Sequence, residues 1–306
     1  MKRNSGADIA RGIGIILVVI GHFYAGDWVN YIFSFHMPLF FFLSGYLTNA
    51  EAPYLRFLGR RARSSLIPYT ALFIISLALE NVRFFYLKNT IDPFLTLRAF
   101  ALSGGYLNDI PLNNFPLWYL PHYFVASAVF FTIVKLSKGR DWISALSAAI
   151  LIAISVPVQG LVPGRPALHI NALPASVTFM LIGHLWKKYE PESIKKAAPY
   201  LALPALAAGY AISNFVGWAH VAHVVSPLYY LAAACSIFGV MSISERLDSP
   251  VLGFIGRNTV VFYGLHMFVF THVVPASGLP PVLGFFAGMA ALAVPAGAYQ
   301  LIKSSR

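Results

Sequence analysis

Asp8, Arg11 and His22 lie in or beside an apolar run of membrane-spanning character near the start of the chain. Ionisable side chains are costly to keep at membrane depth, so those present there are functional-site candidates. Arg11 and His22 are eleven residues apart, which in an α-helix leaves a rotation of about 20° and a rise of roughly 16 Å. Both fall on one stripe of one helix, the arginine towards one membrane face and the histidine towards the other. Histidine takes and returns a proton near neutral pH, so the stripe suits a reaction spread across a bilayer. Arg11 has a plainer use as a snorkelling residue that sets topology, and Asp8, one turn earlier, is placed to start the helix and pair with it. A second histidine, His36, stands in the run Phe35-His36-Met37-Pro38-Leu39-Phe40-Phe41-Phe42-Leu43-Ser44-Gly45. The short connection between His22 and His36 makes their spans antiparallel neighbours and allows the two imidazoles one level. The plain alternative for each is an interfacial polar residue satisfied by water or a carbonyl.

Further along stand Arg56, Arg60, Arg61 and Arg63. Such a cluster either attracts anionic lipids or receives the phosphates of a cofactor, for which forked guanidinium donors are well matched. Trp118, Tyr119 and His122 form an aromatic group at the end of a span, either a membrane-interface belt or a stacking platform for a sugar. Arg257-Asn258 opens a late span that carries His266 in its second half, while His184 reads as structural. Cys235 is the single cysteine, which excludes an intrachain disulfide and a cysteine metal cluster; no metal site is expected. Glu80 is the lone acid well inside a span after Asp8, a scarcity that disfavours a proton-coupled transporter.

The elements that must position these residues follow from composition. The 306 residues are 58% hydrophobic and 11% charged, with a mean hydropathy of +0.68, against about 25% charged in a soluble domain. Apolar runs recur from end to end, which predicts an all-α, multi-pass membrane protein. About ten spans are expected, at 9–25, 31–49, 65–86, 116–135, 142–158, 172–188, 198–214, 224–243, 251–274 and 280–302. With the N-terminus in the cytoplasm, the inner side receives Lys2, Arg3, Arg11, the Arg56–Arg63 cluster, Lys135, Lys138, Arg140, Lys187, Lys188, Lys195, Lys196, Arg246, Arg257, Lys303 and Arg306. The outer side keeps Arg83, Lys88, Arg98 and Arg165. This positive-inside bias puts both termini in the cytoplasm and assigns the +11 net charge to topology and membrane lipids, not to nucleic acid.

One membrane domain is expected over residues 1–306. The first apolar run lacks a small-x-small cleavage site, so it does not read as a cleavable signal peptide. The outer stretch 87–115 combines turn residues, Asn89 among them, with an apolar piece, 94–102, that reads as an interfacial helix or re-entrant segment. A second outer loop, 157–171, is rich in Pro and Gly. Pro38 inside its apolar run predicts a kink near Ser34, and hence a cavity between the first two spans beside His36. The absence of an internal repeat counts against the inverted-repeat transporters.

The pattern Asp8-x-x-Arg11, ten residues, His22, followed by the Phe-His-Met-Pro run, resembles the membrane acyltransferase 3 family. Further similar stretches are Arg60-Arg61-Ala62-Arg63 with Ile67-Pro68-Tyr69, Leu117-Trp118-Tyr119-Leu120, Phe179-Met180-Leu181-Ile182-Gly183, and Ile255-Gly256-Arg257-Asn258-Thr259 through Gly264-Leu265-His266. They cover nearly the whole chain. The resemblance implies a ten-span O-acyltransferase of the bacterial inner membrane. Its donor would be cytoplasmic acetyl-CoA, and its acceptor a hydroxyl of a surface or exopolysaccharide sugar or its lipid-linked precursor. It assigns His22 as the essential histidine with Arg11 its partner, and the Arg60–Arg63 cluster as the basic cytoplasmic motif. His36 is added as a catalytic candidate, Arg56 to the cofactor set, and Trp118, Tyr119, His122, Asn258 and His266 as acceptor contacts. Larger members carry a soluble hydrolase-like domain that is not expected here. His22 would serve as general base, or as the carrier of a covalent acetyl-histidine. The reading from a different class is a transporter or flippase of a lipid-linked sugar, which needs neither CoA binding nor a titrating His22.

Overall fold

The computed structural model describes residues 5–87, 92–110 and 112–304, with the backbone alone over 81–87 and at 304. Lys2, Arg3, Lys88, Asn89 and Arg306, and the side chain of Arg83, lie outside the described residues. Apart from short 3-10 turns and a single isolated β-bridge (His220 with His223), the ordered elements are helical. In chain order they are α1 (Ser5–Phe23), α2 (Asp27–Tyr46), α3 (Tyr54–Leu87), α4 (Pro93–Leu102), α5 (Tyr119–Ser137), α6 (Asp141–Leu161) and α7 (Leu173–Tyr189). Then come α8 (Glu192–Val216), α9 (Leu228–Ser244), α10 (Pro250–Arg257), α11 (Thr259–Phe268), α12 (Val274–Ala276) and α13 (Pro281–Ser304). A π-helical turn, Val269–Val273, joins α11 to α12. Each apolar segment read from the sequence falls on helical backbone. Among the described residues, seven helices are long and apolar enough to cross a membrane.

Local chemistry sets the ends of several elements. Asp92 caps α4 by accepting from the backbone N–H of Phe94 at 2.7 Å and Leu95 at 3.1 Å, with Pro93 at the first helical position. The expected apolar piece is therefore this ten-residue helix. Ser249 caps α10 in the same way, again followed by proline. Pro38 does not end α2: helical backbone runs through it from Asp27 to Tyr46.

Two crossings bring backbones into direct contact. A Cβ on Gly256 would sit 1.8 Å from the carbonyl oxygen of Asp8, and one on Gly12 would sit 2.2 Å from that of Leu252. Only glycine permits this approach of α1 to α10. Gly45 and Gly183 do the same for α2 and α7, at 1.8 Å from the Met180 carbonyl and 2.1 Å from the Phe42 carbonyl. Phe41, Phe130, Phe131 and Phe179 fill the core around the second crossing, and Phe57 stacks on Phe131 at 3.9 Å. On the rim, α6 exposes Leu146, Ile150 and Ile154, and α13 exposes Val282, Phe286 and Val294. Contiguous apolar surface of this kind belongs against lipid. The helices around α1 keep their polar residues inward, where two cavities open.

Candidate active site

The α1 stripe reaches both cavities. Arg11 lines the smaller, of about 410 Å³, and His22 the larger, of about 850 Å³. Val18 (between them on α1), Met37 of α2 and Tyr263 of α11 line both. The cavities thus meet across a wall of three buried side chains. Tyr263 is fixed in that wall because its hydroxyl donates to the Pro116 carbonyl.

The smaller cavity is basic. Arg11, Arg61, Arg63, Arg257 and Lys303 line it, with Asp8 as the one lining carboxylate among the described residues. Asp8 accepts from Arg11 Nη1 at 3.2 Å, one helical turn away. Arg61 is held by several partners. It donates to the Tyr123 hydroxyl and, at 3.1 Å, to Thr48 Oγ1, and its guanidinium lies 5.0 Å from the Phe57 ring centre. The Gly12–Gly256 contact is what brings Arg257 beside Asp8 and Arg11. A compact set of cations with so little compensating negative charge is an anion site by electrostatics.

In the larger cavity His22 is half-buried. Its ring is edge-on to Phe33 (centroids 5.7 Å) and Phe115 (5.4 Å), and it lies 5.3 Å from His266 at a 30° tilt. No described residue hydrogen-bonds its nitrogens, so they are open to a ligand. His36 lines the same cavity and meets the other side of Phe33 at 5.3 Å. Its Nδ1 lies 2.7 Å from the Ile32 carbonyl, which only accepts. Nδ1 therefore carries the proton and Nε2 the lone pair. His266 is set in the same way by the Tyr263 carbonyl at 2.6 Å, and its Nε2 is buried without a partner. The far wall comes from loops, with Trp118, His169, Trp218, His220 and His223. In the 217–227 loop, Trp218 packs on His220 and His223, each at 4.8 Å. Burial lowers the His220 pKa to about 4, with smaller contributions from His223 and Arg165. It is neutral at pH 7. Its Nδ1 accepts from the Ala222 N–H at 3.1 Å, which leaves Nε2 as a donor.

Two cavities thus face each other across a thin wall, one basic and one lined by His22, whose half-buried ring no described residue hydrogen-bonds. A family model described as acyltransferase domain matches residues 4–299. The chain belongs to the membrane acyltransferase 3 family. It is similar to the nodulation protein NolL of Mesorhizobium japonicum, 26% identical over 162 residues, covering 48% of this chain and 40% of that protein. The NolL of Sinorhizobium fredii is 30% identical over 171 residues, covering 51% and 43%. The chain thus spans about two fifths of the length of these curated relatives. No solved structure matches it.

Within this acyltransferase domain the sequence-read residues divide sharply. Arg11, Arg61 and Arg63 meet in the basic cavity. Arg56 and Arg60 are exposed and do not line it; Arg61, turned about 100° from Arg60, is the one that packs towards α5 and reaches Tyr123. Trp118 lines the His22 cavity, but Tyr119 faces the basic one. His122 is fully buried, donates from Nδ1 to the Leu168 carbonyl at 2.9 Å and accepts from Ser176 Oγ at 2.8 Å, so it lines neither cavity. Asn258 donates to the Phe254 carbonyl at 2.9 Å and to Gln300 Oε1 at 3.0 Å; it braces the Arg257–Thr259 turn instead of lining a cavity. His266 stands behind His22. Sequence reasoning missed Tyr263, Trp218, His220 and Lys303; clusters of His and Trp such as 218–223 are a signal that was available. Glu80 and His272, 3.2 Å apart, lie outside both cavities.

Proposed function

We propose that this protein transfers an acetyl group from cytoplasmic acetyl-CoA to a sugar hydroxyl on the other side of a bacterial inner membrane. The observation that carries the proposal is the pair of cavities joined along α1, with Arg11 in one, His22 in the other and the Val18–Met37–Tyr263 wall between. All ten long helical segments cross the membrane as one domain, with both termini in the cytoplasm. The bias of basic residues supports that sidedness, and the bacterial origin of the relatives supports the compartment.

In this reading the basic cavity opens to the cytoplasm and takes the CoA phosphates on Arg11, Arg61, Arg63, Arg257 and Lys303. The pantetheine arm carries the thioester towards Tyr263. An acceptor sugar of a surface polysaccharide or its lipid-linked precursor enters the larger cavity against Trp118 and Trp218. An unprotonated nitrogen of His22 removes the proton from the acceptor hydroxyl as its oxygen attacks the acetyl carbonyl. The C–S bond then breaks, the thiolate of CoA leaves, and the His22 proton neutralises it. His36 and His266 keep the surroundings of His22 fixed through their carbonyl-locked rings.

Acetyl-CoA added to the purified protein is expected to raise its melting temperature, and Arg61→Gln is expected to diminish that rise. No stabilisation of the wild-type protein at millimolar acetyl-CoA overturns the proposed donor.

A further inference from the structure

Arg165 stands out on electrostatic grounds. It is one of four basic residues that the positive-inside pattern leaves on the outer side. Of these, Arg98 is neutralised by Asp109 at 2.6 Å. Among the described residues Arg165 has no ion pair, and the cavity it lines, shared with His22, has no lining Asp or Glu. The other titratable groups on its wall are Tyr263 and five of the chain's nine histidines. Arg165 is exposed, so solvent satisfies its guanidinium, and at the edge of a cavity without lining carboxylates that guanidinium is available to an anion on an occupant.

The segment that presents it is built. Gly105 N–H donates to the Arg165 carbonyl at 3.0 Å. A Cβ at Gly105 would stand 2.8 Å from that oxygen, and one at Gly104, whose φ is +61°, would stand 2.3 Å from the Pro166 carbonyl. The two glycines let one loop clasp the other. From the opposite side Asn171 donates to the Gly164 carbonyl at 3.1 Å and exchanges hydrogen bonds with Gln159. Leu168 and His169 follow in left-handed conformations, φ 52° and 48°, which non-glycine residues adopt at a cost. This turn lays the His169 ring 4.1 Å from that of Trp118, with His169 Nδ1 buried and still without a partner.

We propose that Arg165, with His169, forms an oxyanion subsite for the acceptor, so that the sugar acetylated here bears a negative group within reach of the ring stacked on Trp118. This rests on the acyl-transfer reading for the identity of the cavity's occupant. The shared chemistry is a sugar with an attached carboxylate or phosphate: a uronate in a glycan chain, or the phosphate through which a precursor is linked to its lipid.

The test uses the full chain in detergent and three probes, methyl β-D-glucuronide, glucose 1-phosphate and methyl β-D-glucoside, with binding followed by calorimetry. At least one anionic probe is expected to bind about tenfold or more tightly than the neutral glucoside, the range for a charge-assisted hydrogen bond. Arg165→Gln is expected to abolish that preference, and Arg165→Lys to keep most of it. A stronger response to the carboxylate assigns a uronate, and to the phosphate a lipid-linked precursor. Equal binding of all three, binding of none, or a preference that survives in Arg165→Gln overturns the subsite. Acetyl-CoA stabilisation measured on the same sample separates the two ideas. If it persists while the anion preference is missing, only the subsite is wrong. If the preference is present without it, the subsite stands and the acyl-transfer reading falls.

Discussion

His22→Ala tests the chemistry at its centre. The wild-type ring opens onto the 850 Å³ cavity and no described residue hydrogen-bonds it. Truncation therefore strands no buried donor or acceptor and enlarges an existing space instead of creating a closed void. The cost to folding should be small, on the order of 1 kcal/mol from lost contacts with Phe33 and Phe115. The cost to catalysis should be much larger. A general base contributes about 10²–10⁴-fold, which is roughly 2.7–5.4 kcal/mol of transition-state stabilisation. Because Arg11 and the other cations line a separate cavity, roughly 16 Å along α1, the variant should still bind acetyl-CoA. The assay is steady-state loss of acetyl-CoA with and without acceptor, alongside melting temperatures with and without the donor. The expected pattern is a kcat reduced at least a hundredfold, an unchanged donor KM and an undiminished thermal shift. Retention of a tenth of the wild-type rate would refute the base assignment. A lost thermal shift would show that the two cavities are not the independent sites inferred here.

Other consequences divide among the surrounding residues. Arg61→Lys keeps the charge but gives up the fork that reaches Tyr123 and Thr48, so the donor KM should rise about tenfold, whereas exposed Arg60→Lys should leave it unchanged; equal effects would return the cluster to general attraction for lipid. Tyr263→Ala should breach the wall between cavities and raise acceptor-independent release of CoA several-fold, because the larger cavity admits water; Tyr263→Phe, which retains the ring, should stay nearer wild type, and a tight Tyr263→Ala would mean that Val18 and Met37 suffice. In a Cys235→Ser background, a cysteine at Asn113 should react with an impermeant thiol reagent on intact cells and one at Ser64 should not. Labelling at Ser64 from outside would invert the proposed direction of transfer.

The elements of this protein were legible because their signals are local. Apolar runs of span length mark the helices, and the eleven-residue spacing of Arg11 and His22 is a property of one helix, whose 3.6-residue period holds whatever packs around it. The Asp92-Pro93 cap of α4 was written locally too. Pro38 lies inside α2, whose helical backbone continues to Tyr46. What the spacing leaves open is which neighbour faces which cavity. Arg60 and Arg61, or Trp118 and Tyr119, are adjacent in the chain yet point apart, and only the contacts of α3 and α5 with the rest of the bundle choose between them. The same holds for His122, whose aromatic surroundings read as a sugar platform but whose two nitrogens are consumed by Leu168 and Ser176. Residues from distant segments, Tyr263, His220 and Lys303, join the candidate site only in the packed bundle, where α11 lies against α1 and α13 against α11. The sequence by itself determined the class, the helices and the Arg11–His22 stripe; the two cavities, the wall between them and the loop that presents Arg165 exist only in tertiary structure, because a cavity is a relation among helices that no single period encodes.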